Sequence, residues 1–172
     1  FAISEPVDTE DIQKCVNAMK DDPNIACFNF RSIDGPFEGE ILDKYVLASR
    51  KAKFRINLQA ALWRKSFLLK FIRVHENPWQ FETWGCKRAQ RYKDKIYHLK
   101  NGGKTPIEYP WGGIIANGKW REDENVKWLE DEGYGYIDFS KRGIYHWGDD
   151  RVTEIVHRSF FEKCWQVFKS LI

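Results

Sequence analysis

LQAALWRKSFLLKFIRVHENPWQFETWGCKRAQRY, from Leu58 to Tyr92, divides into a scaffold half and a candidate functional half. The first half holds an apolar run followed by apolar residues at helical spacing up to Ile72, a pattern typical of buried structure. The second half holds an Asn77-Pro78-Trp79 turn with an aromatic ring. A carboxylate and then several basic residues follow this turn. We therefore expect any chemistry between Glu76 and Glu82.

The basic residues at the end of this segment have a simpler interpretation. If residues 79–92 are helical, Lys87, Arg88 and Arg91 fall near the end of that helix. Positive charge in a last turn interacts favourably with the helix dipole. We interpret this cluster as a helix end rather than as part of a site.

Length and composition limit the class of protein. A chain of 172 residues can bury roughly 70% of its unfolded surface as one domain. Its 28 basic and 25 acidic residues give a net charge of +3, so global attraction to nucleic acid is weak. We interpret residues 1–172 as a single domain or as the C-terminal portion of a larger one. Because the chain begins Phe-Ala-Ile-Ser, as if inside a folded element, we expect sequence to precede it.

Cysteine usage and hydropathy bear on the compartment. The four cysteines are scattered without a C-x-x-C pair, and Cys15 and Cys27 lie in apolar patterns, as core thiols do. This predicts a reduced, cytoplasmic protein. No stretch approaches the ~20 apolar residues of a membrane span. Peripheral association with a membrane stays open.

Periodicity predicts alternating helices and strands. Acids after Asp8 and apolar residues at helical spacing predict a first helix over 9–20, ended by Asp22-Pro23. The other predicted elements are a buried strand over 25–30, a loop over 32–39, a strand over 54–63, a helix over 66–73, a strand over 96–99, a helix after residue 120 that stops at Gly133, a strand over 134–139 and a last helix from Val152 to Phe168. This order predicts an α/β layered fold.

Two carboxylates are candidates for acid–base chemistry. A general base must lie near a reacting hydroxyl, and partial desolvation raises its proton affinity. On a helix, Glu82 would share a face with Trp79 three residues earlier. The simpler interpretations are a surface glutamate for Glu82 and a turn cap for Glu76.

Tryptophans and basic turns are candidate binding residues. Sugar rings and bases stack on indole rings, and Trp79 and Trp111 each adjoin a proline in a predicted loop, whereas Trp63 fits the core. Lys119 and Arg142 lie in glycine-containing turns that suit phosphate, although a solvated turn is the simpler interpretation. The histidines show no ligand-like spacing, and we predict no metal site in this chain.

Several motifs carry a family resemblance. The series RINLQAALWRK (Arg55 to Lys65) and then ENPWQFE (Glu76 to Glu82) resembles a region of bacterial nucleotide-sugar glycosyltransferases with a GT-A-type fold. Gly118-Lys119-Trp120 and IDFSKRG (Ile137 to Gly143) look similar to downstream segments of those proteins, and Phe1 to Met19 looks like the segment just after their metal-binding acidic motif. The resemblance implies a mixed sheet flanked by helices, as in the C-terminal, acceptor-side part of the GT-A fold.

The resemblance also implies a reaction. Such enzymes of polysaccharide biosynthesis transfer a sugar from a nucleotide-diphosphate donor to a hydroxyl of a glycan or related acceptor. They bind the donor through an N-terminal half and an Asp-x-Asp-like motif with Mg²⁺ or Mn²⁺, and this chain contains neither. The roles that the resemblance implies here are Glu82 as general base with Glu76 second, Trp79 stacking on the acceptor, Arg55 and Gln59 lining the site, and Lys119 and Arg142 toward the phosphates.

Two alternatives come from other functional classes. Basic residues interleaved with aromatics from Lys51 to Lys95 are compatible with a nucleic-acid-binding module, whose affinity would fall steeply with salt. A non-catalytic carbohydrate-binding domain would use the same tryptophans and bind sugar without nucleotide or metal. Both hypotheses stay open.

Overall fold

A computed structural model describes residues 5–109, 113–116, 118–121, 123–146 and 159–171. The chain forms two compact units. The larger unit comprises residues 8–106 and 158–172, and the smaller unit comprises residues 1–7 and 107–157. The fold is α/β, with mixed sheets flanked by helices, as predicted.

The larger unit is built on a five-stranded mixed sheet. Its strands are β1 (Ile25–Asn29), β2 (Phe37–Leu42), β3 (Tyr45–Ala48), β4 (Ala61–Trp63) and β5 (Lys95–Leu99), in the order β2-β3-β5-β1-β4. β1 and β5 are parallel, and the other neighbours are antiparallel. The helices of this unit are α1 (Thr9–Asp21), α2 (Lys65–Phe71), α3 (Pro78–Ala89) and α5 (Phe160–Leu171), while α4 lies in the smaller unit.

Local sequence explains α1, which confirms the predicted first helix. The Asp8 carboxylate accepts a hydrogen bond from the Asp11 backbone N–H at 3.0 Å and caps the first turn. Cys15 and Met19, one turn apart, form part of the buried face. The helix ends at Asp21, directly before the Asp22-Pro23 pair that predicted its end.

The core lies between the sheet and helices α2 and α3. Every residue of β1 is buried, because the strand is central and covered on both faces. The principal cluster joins Ala26, Cys27, Ile56, Phe67, Phe71, Phe81, Ala89 and Ile96. Trp63 is half-buried against this cluster, with its ring 6.3 Å from that of Phe67, so the core interpretation of Trp63 is confirmed.

The predicted strand over 54–63 is wrong for most of its length. Only Ala61–Trp63 forms a strand, and Phe54 has a positive φ of 59°, which breaks extended geometry. Arg55, Ile56 and Asn57 are all buried, so the alternation in the sequence does not correspond to two faces of a sheet. The backbone N–H groups of Ile56 and Leu58 bind side chains of α3 rather than a neighbouring strand.

A β-hairpin replaces part of the predicted loop over 32–39. Strands β2 and β3 are joined at Asp43-Lys44, where Asp43 has a φ of 55°. Gly39, which favoured a loop in the sequence, lies inside β2 with a φ of 75°, where the register with β3 shifts. The glycine therefore marks a bulge within a strand.

The smaller unit holds a three-stranded sheet of β6 (Ile115–Ala116), β7 (Lys119–Arg121) and β8 (Ile144–Tyr145), in that order. Helix α4 (Asp123–Leu129) continues into a π-helical turn, Glu130–Tyr134, which breaks at Gly133. The predicted strand over 134–139 is wrong, because the chain turns there and enters a 3-10 turn at Phe139–Lys141. The part of the last predicted helix before residue 159 lies outside the described residues.

No helix in the described ranges has the length and apolar character needed to cross a bilayer. The last described helix, α5, is nevertheless unusual in its exposure. Its residue Ser170 is buried, whereas four aromatic side chains are exposed: Phe160, Phe161, Trp165 and Phe168. The helix thus turns its aromatic side outward within the larger unit.

Candidate functional site

The N-terminus of α3 positions the candidate site in the larger unit. Asn77 caps the helix by accepting the Gln80 N–H at 2.9 Å, and the Gln80 side chain accepts the Asn77 N–H at 3.0 Å. Pro78 occupies the first helical position, where its fixed φ is favourable. This well-defined start presents Trp79 in the first turn with 75% of its surface exposed.

Glu82 lies three residues after Trp79 on α3, which places both side chains on neighbouring positions of one helix face. One carboxylate oxygen, Oε1, accepts the Leu58 backbone N–H at 2.8 Å. Among the described residues, no hydrogen bond reaches the second oxygen. The carboxylate is half-buried. The Leu58 N–H holds one of its oxygens, and the other oxygen can accept a proton or a hydrogen bond.

Cys86 extends the contact between α3 and the preceding loop. Its Sγ lies 3.3 Å from both the backbone nitrogen and the carbonyl oxygen of Ile56. Burial raises the pKa of the Cys86 thiol, which disfavours the reactive thiolate. Glu82 and Cys86 together fix the backbone of residues 56–58 against α3, so this face of the helix also has a structural role.

Glu76 occupies a different environment from Glu82. Its two oxygens bind the two terminal nitrogens of Arg88 at 2.6 and 2.7 Å, and its side chain is 1% exposed. Arg88 also donates to the carbonyl oxygens of Phe71 and Ser170 and so ties α2, α3 and α5 together. Both Glu76 oxygens are engaged inside the protein, where a substrate hydroxyl has no access.

Arg88 is a residue that the sequence interpretation placed only at a helix end. It does lie in the last turn of α3, as expected, but it is buried. The spacing of the residues could have indicated this burial. The buried face of α3 consists of Phe81, Gly85, Arg88 and Ala89, at helical intervals of four, three and one residues. A buried arginine requires an acidic partner, and Glu76 is the acid on the same segment.

The Arg55 guanidinium lies away from Glu82, whereas Gln59 directly follows Leu58, whose backbone N–H binds Glu82. The Arg55 guanidinium is 2% exposed and donates to the carbonyl oxygens of Ala89 at 2.8 Å and Asp94 at 2.7 Å, at the far end of α3. From Glu82 to Ala89 the helix rises about 10 Å. Gln59 is half-buried, and its backbone N–H donates to the Asn57 side chain at 3.1 Å.

Lys119 and Arg142 lie close to one another in the smaller unit. Lys119 is exposed at the start of β7, directly after Gly118. The Arg142 side chain donates to the Gly118 carbonyl oxygen at 3.3 Å, and its guanidinium lies 6.0 Å from the centre of the Trp120 ring. Trp111, the remaining predicted binding residue, lies outside the described residues.

The sequence analysis did not predict a buried polar cluster in the larger unit. His98 and Asn29 lie opposite one another on the parallel strands β5 and β1, and both are fully buried. His98 Nε2 donates to the Arg55 carbonyl oxygen at 3.1 Å, and Asn29 Nδ2 lies 3.4 Å from the same nitrogen. Burial lowers the pKa of His98 to about 4, so the ring is neutral at pH 7.

Metal ligands do not come together in the described part of the chain. Across residues 5–109 and the shorter described ranges, no three His, Cys, Asp or Glu side chains form a group that fits a metal ion. These residues therefore do not fit the Mg²⁺ or Mn²⁺ that the family resemblance implies. All four cysteines are free thiols.

Comparisons of the chain with protein-family models, with curated proteins and with solved structures found no match. The resemblance to glycosyltransferases accordingly rests on the motifs in the sequence. The geometry at the start of α3 is the structural observation that bears on function.

Proposed function

We propose that this chain forms the acceptor-side part of a glycosyltransferase with a GT-A-type fold. The supporting observation is the pairing of an exposed indole, Trp79, with a half-buried carboxylate, Glu82, that keeps one oxygen without a hydrogen bond within the described residues. A sugar ring stacked on the indole would bring its hydroxyls near α3. The substrate classes are a nucleotide-diphosphate sugar and a glycan or related acceptor.

In the proposed reaction, Glu82 is the general base. Its second oxygen takes the proton of the acceptor hydroxyl while the hydroxyl oxygen attacks the anomeric carbon of the donor sugar. The bond from that carbon to the diphosphate breaks, and the diphosphate leaves with the electron pair. The Leu58 N–H holds the other oxygen at 2.8 Å and limits the rotation of the carboxylate.

Glu82 is preferred over Glu76 as the base because the two carboxylates differ in access. Glu76 is buried in a two-bond pair with Arg88, and using it would require breaking that pair. Glu82 is already oriented and needs no such rearrangement. We therefore assign Glu76 to the stability of the fold and Glu82 to catalysis.

Lys119 and Arg142, both in the smaller unit, are phosphate candidates through the family resemblance alone, and no step of the reaction at Glu82 is assigned to them. Lys119 and Arg142 adjoin the turn at Gly118, and cations near a turn suit a phosphate. No step is assigned to a divalent metal, because the described residues contain no ligand set for one. The donor and any metal would be held by sequence outside the described residues.

Substitution of Glu82 tests the proposal in an assay of sugar transfer from a nucleotide-sugar donor. Glu82→Gln keeps an oxygen that can accept the Leu58 N–H but removes the base, so transfer should fall by roughly 10²–10⁴-fold while the melting temperature changes little. Glu130→Gln, a matched change at an exposed glutamate, should leave the transfer rate intact. Unchanged transfer in Glu82→Gln would refute the assignment.

A non-catalytic carbohydrate-binding domain is the second candidate, since exposed Trp79 would serve sugar stacking equally well. Indole N–H signals in NMR spectra distinguish the two functions. A binding domain should perturb the Trp79 signal with sugar alone, and its affinity should be the same in Glu82→Gln. The nucleic-acid alternative predicts binding that weakens with salt, and no structural observation favours it.

Cytoplasmic localisation and peripheral membrane association stay predictions. The exposed aromatic side of α5 supports the second, because interfacial helices place aromatic rings at a lipid surface and lysines beside them. Lys163 and Lys169 lie on this helix. Sedimentation with anionic vesicles, compared between the wild type and Trp165→Ala, would test the association.

A further inference from the structure

Two buried arginines in the larger unit differ in how their charge is compensated. Arg88 is 3% exposed and forms a two-bond ion pair with Glu76. Arg55 is 2% exposed, yet no carboxylate of the described residues lies within 4 Å of its guanidinium. Its bonds go to the carbonyl oxygens of Ala89 and Asp94, and its Nε has no hydrogen-bond partner among the described residues.

A buried cation without an anion is energetically costly. Carbonyl oxygens offset part of the cost, but they carry no net charge to balance the guanidinium. Arg88 shows the usual arrangement within this same protein, a carboxylate at hydrogen-bond distance. The Arg55 site therefore lacks a carboxylate at hydrogen-bond distance, although Glu38 and Asp94 lie near it.

A cavity of about 200 Å³ opens beside Arg55, where β3 and the start of β5 meet. Its volume is sufficient for a tetrahedral oxyanion with its nearest waters. The charged residues that line it are four basic and two acidic: Arg50, Arg55, Lys93, Lys95, Glu38 and Asp94. Lys95 pairs with Asp22, which lies outside the lining, at 3.3 Å, so the other lining residues, three basic and two acidic, leave an excess of one positive charge.

The two acids are partly occupied elsewhere. Glu38 Oε1 accepts the Arg50 backbone N–H at 3.3 Å. Asp94 contributes its backbone carbonyl, rather than its carboxylate, to Arg55. Both carboxylates still lie near Arg55 and favour its charged form, so the positive excess of the cavity comes from Arg50 and Lys93.

We propose that this cavity is a binding site for the phosphoryl group of a small ligand. The forked guanidinium and the lysine ammonium groups are the side chains that bind phosphate best, and a bound phosphate would place an anion beside Arg55, whose hydrogen bonds in the described part of the chain go to carbonyl oxygens. The site is separate from Glu82, which lies about two helical turns away along α3. It stands independently of the glycosyl-transfer proposal.

Phosphate titration of the whole chain, followed by ¹H–¹⁵N NMR at constant ionic strength and pH 7, tests the site. Inorganic phosphate should shift the backbone signals of Arg50, Lys93 and Asp94 and the Arg55 Nε–H signal, with one saturation curve. A sugar phosphate titrated in parallel distinguishes the source. Tighter binding than inorganic phosphate indicates an organic phosphoryl ligand, and equal binding indicates free phosphate; either outcome supports the site.

Variants separate a built site from general charge attraction. Arg50→Gln and Lys93→Gln should each raise the dissociation constant for phosphate roughly tenfold, the effect of losing one charge-assisted hydrogen bond. Glu38→Gln, which removes a repelling carboxylate but keeps an oxygen for the Arg50 N–H, should lower it. Lys20→Gln makes the same charge change on exposed α1 and should leave it unchanged.

The outcomes that overturn the proposal are equally definite. A linear, unsaturated response to phosphate would show that no site exists. Equal weakening in Lys20→Gln and Lys93→Gln would show only general attraction. Circular dichroism spectra and melting temperatures like those of the wild type confirm that each variant is folded, and Arg55 itself is left intact because its bonds to Ala89 and Asp94 hold the fold.

Discussion

Glu76 and Arg88 form a two-bond ion pair, with nitrogen–oxygen distances of 2.6 and 2.7 Å, in the interior where α2, α3 and α5 meet. Twelve residues separate the partners, and helix α3 begins between them. The pair explains why a cation can lie on the buried face of α3. It also explains why the ENPWQFE segment holds one structural and one available carboxylate.

Removing either partner should therefore destabilise the protein strongly. Glu76→Gln leaves the Arg88 charge buried without an anion, and breaking such a pair costs about 3–5 kcal/mol. Urea unfolding followed by circular dichroism measures the loss. Lys141→Gln, which removes a cation from the exposed pair with Asp138, is the control and should change the free energy of unfolding little.

Replacing Glu76 and Arg88 together separates the contribution of the ion pair from that of the other bonds of Arg88. A Glu76→Met, Arg88→Leu double variant removes both charges, so it should be more stable than either single variant even though the carbonyl oxygens of Phe71 and Ser170 lose their donor. Equal instability in the double variant would show that the bonds to those carbonyls, rather than the ion pair, dominate.

Two substitutions of Glu82 should separate its structural contact from its proposed chemistry. Glu82→Ala removes the acceptor of the Leu58 N–H and should cost about 1 kcal/mol of unfolding free energy. Glu82→Gln keeps an acceptor oxygen and should stay close to the wild type. Amide hydrogen exchange at Leu58 reports the bond directly, with faster exchange expected in the alanine variant alone. Equal exchange rates in all three proteins would contradict the contact.

Helices whose signals are local were predictable from the sequence. The cap at Asp8 and the spacing of Cys15 and Met19 lie within α1 itself, and the predicted helix matches it. The segment from Phe54 to Ala60 was not predictable, because its backbone partners, Glu82 and Cys86, lie 24 and 30 residues later in the chain than the groups they bind. Its alternating residues resembled a strand, but side chains of α3 hold it as a loop.

The candidate site, like the fold, was only partly predictable from the sequence. Helical spacing alone predicted that Trp79 and Glu82 share a face, since that relation is internal to α3. The burial of Glu76 and the position of Arg55 depended on packing between distant elements. The spacing on α3 could indicate a buried Arg88, but it carried no information about the contacts of Arg55.

The neutral, buried His98 should make stability depend on pH. Its pKa is about 4 in the folded protein against an ordinary value of 6.5, because burial disfavours the charged ring. The unfolded chain therefore binds the proton more tightly. The contribution of the neutral His98 ring to the free energy of unfolding is fully present above about pH 6.5 and decreases as the pH falls toward 4. Below pH 4 this contribution decreases no further. The difference between the two pKa values corresponds to about 3 kcal/mol of unfolding free energy.

Urea unfolding between pH 4 and pH 7 measures this dependence, and substitution isolates the contribution of His98. His98→Gln should be less stable than the wild type at pH 7, but its stability should fall less toward pH 4. Parallel curves for the wild type and His98→Gln would contradict a neutral buried ring.

Cysteine reactivity should follow burial. Cys27 is inaccessible, and burial raises its pKa, so the folded protein should expose almost no thiolate there; Cys15 is buried as well. Cys164 is exposed on α5 and should react with a thiol reagent at least tenfold faster than either.

Mass spectrometry after timed labelling identifies the modified residue. Cys164→Ser should abolish the fast phase, and denaturation should make Cys15 and Cys27 react as fast as Cys164. Rapid labelling of Cys27 in the folded chain would contradict the core described for β1.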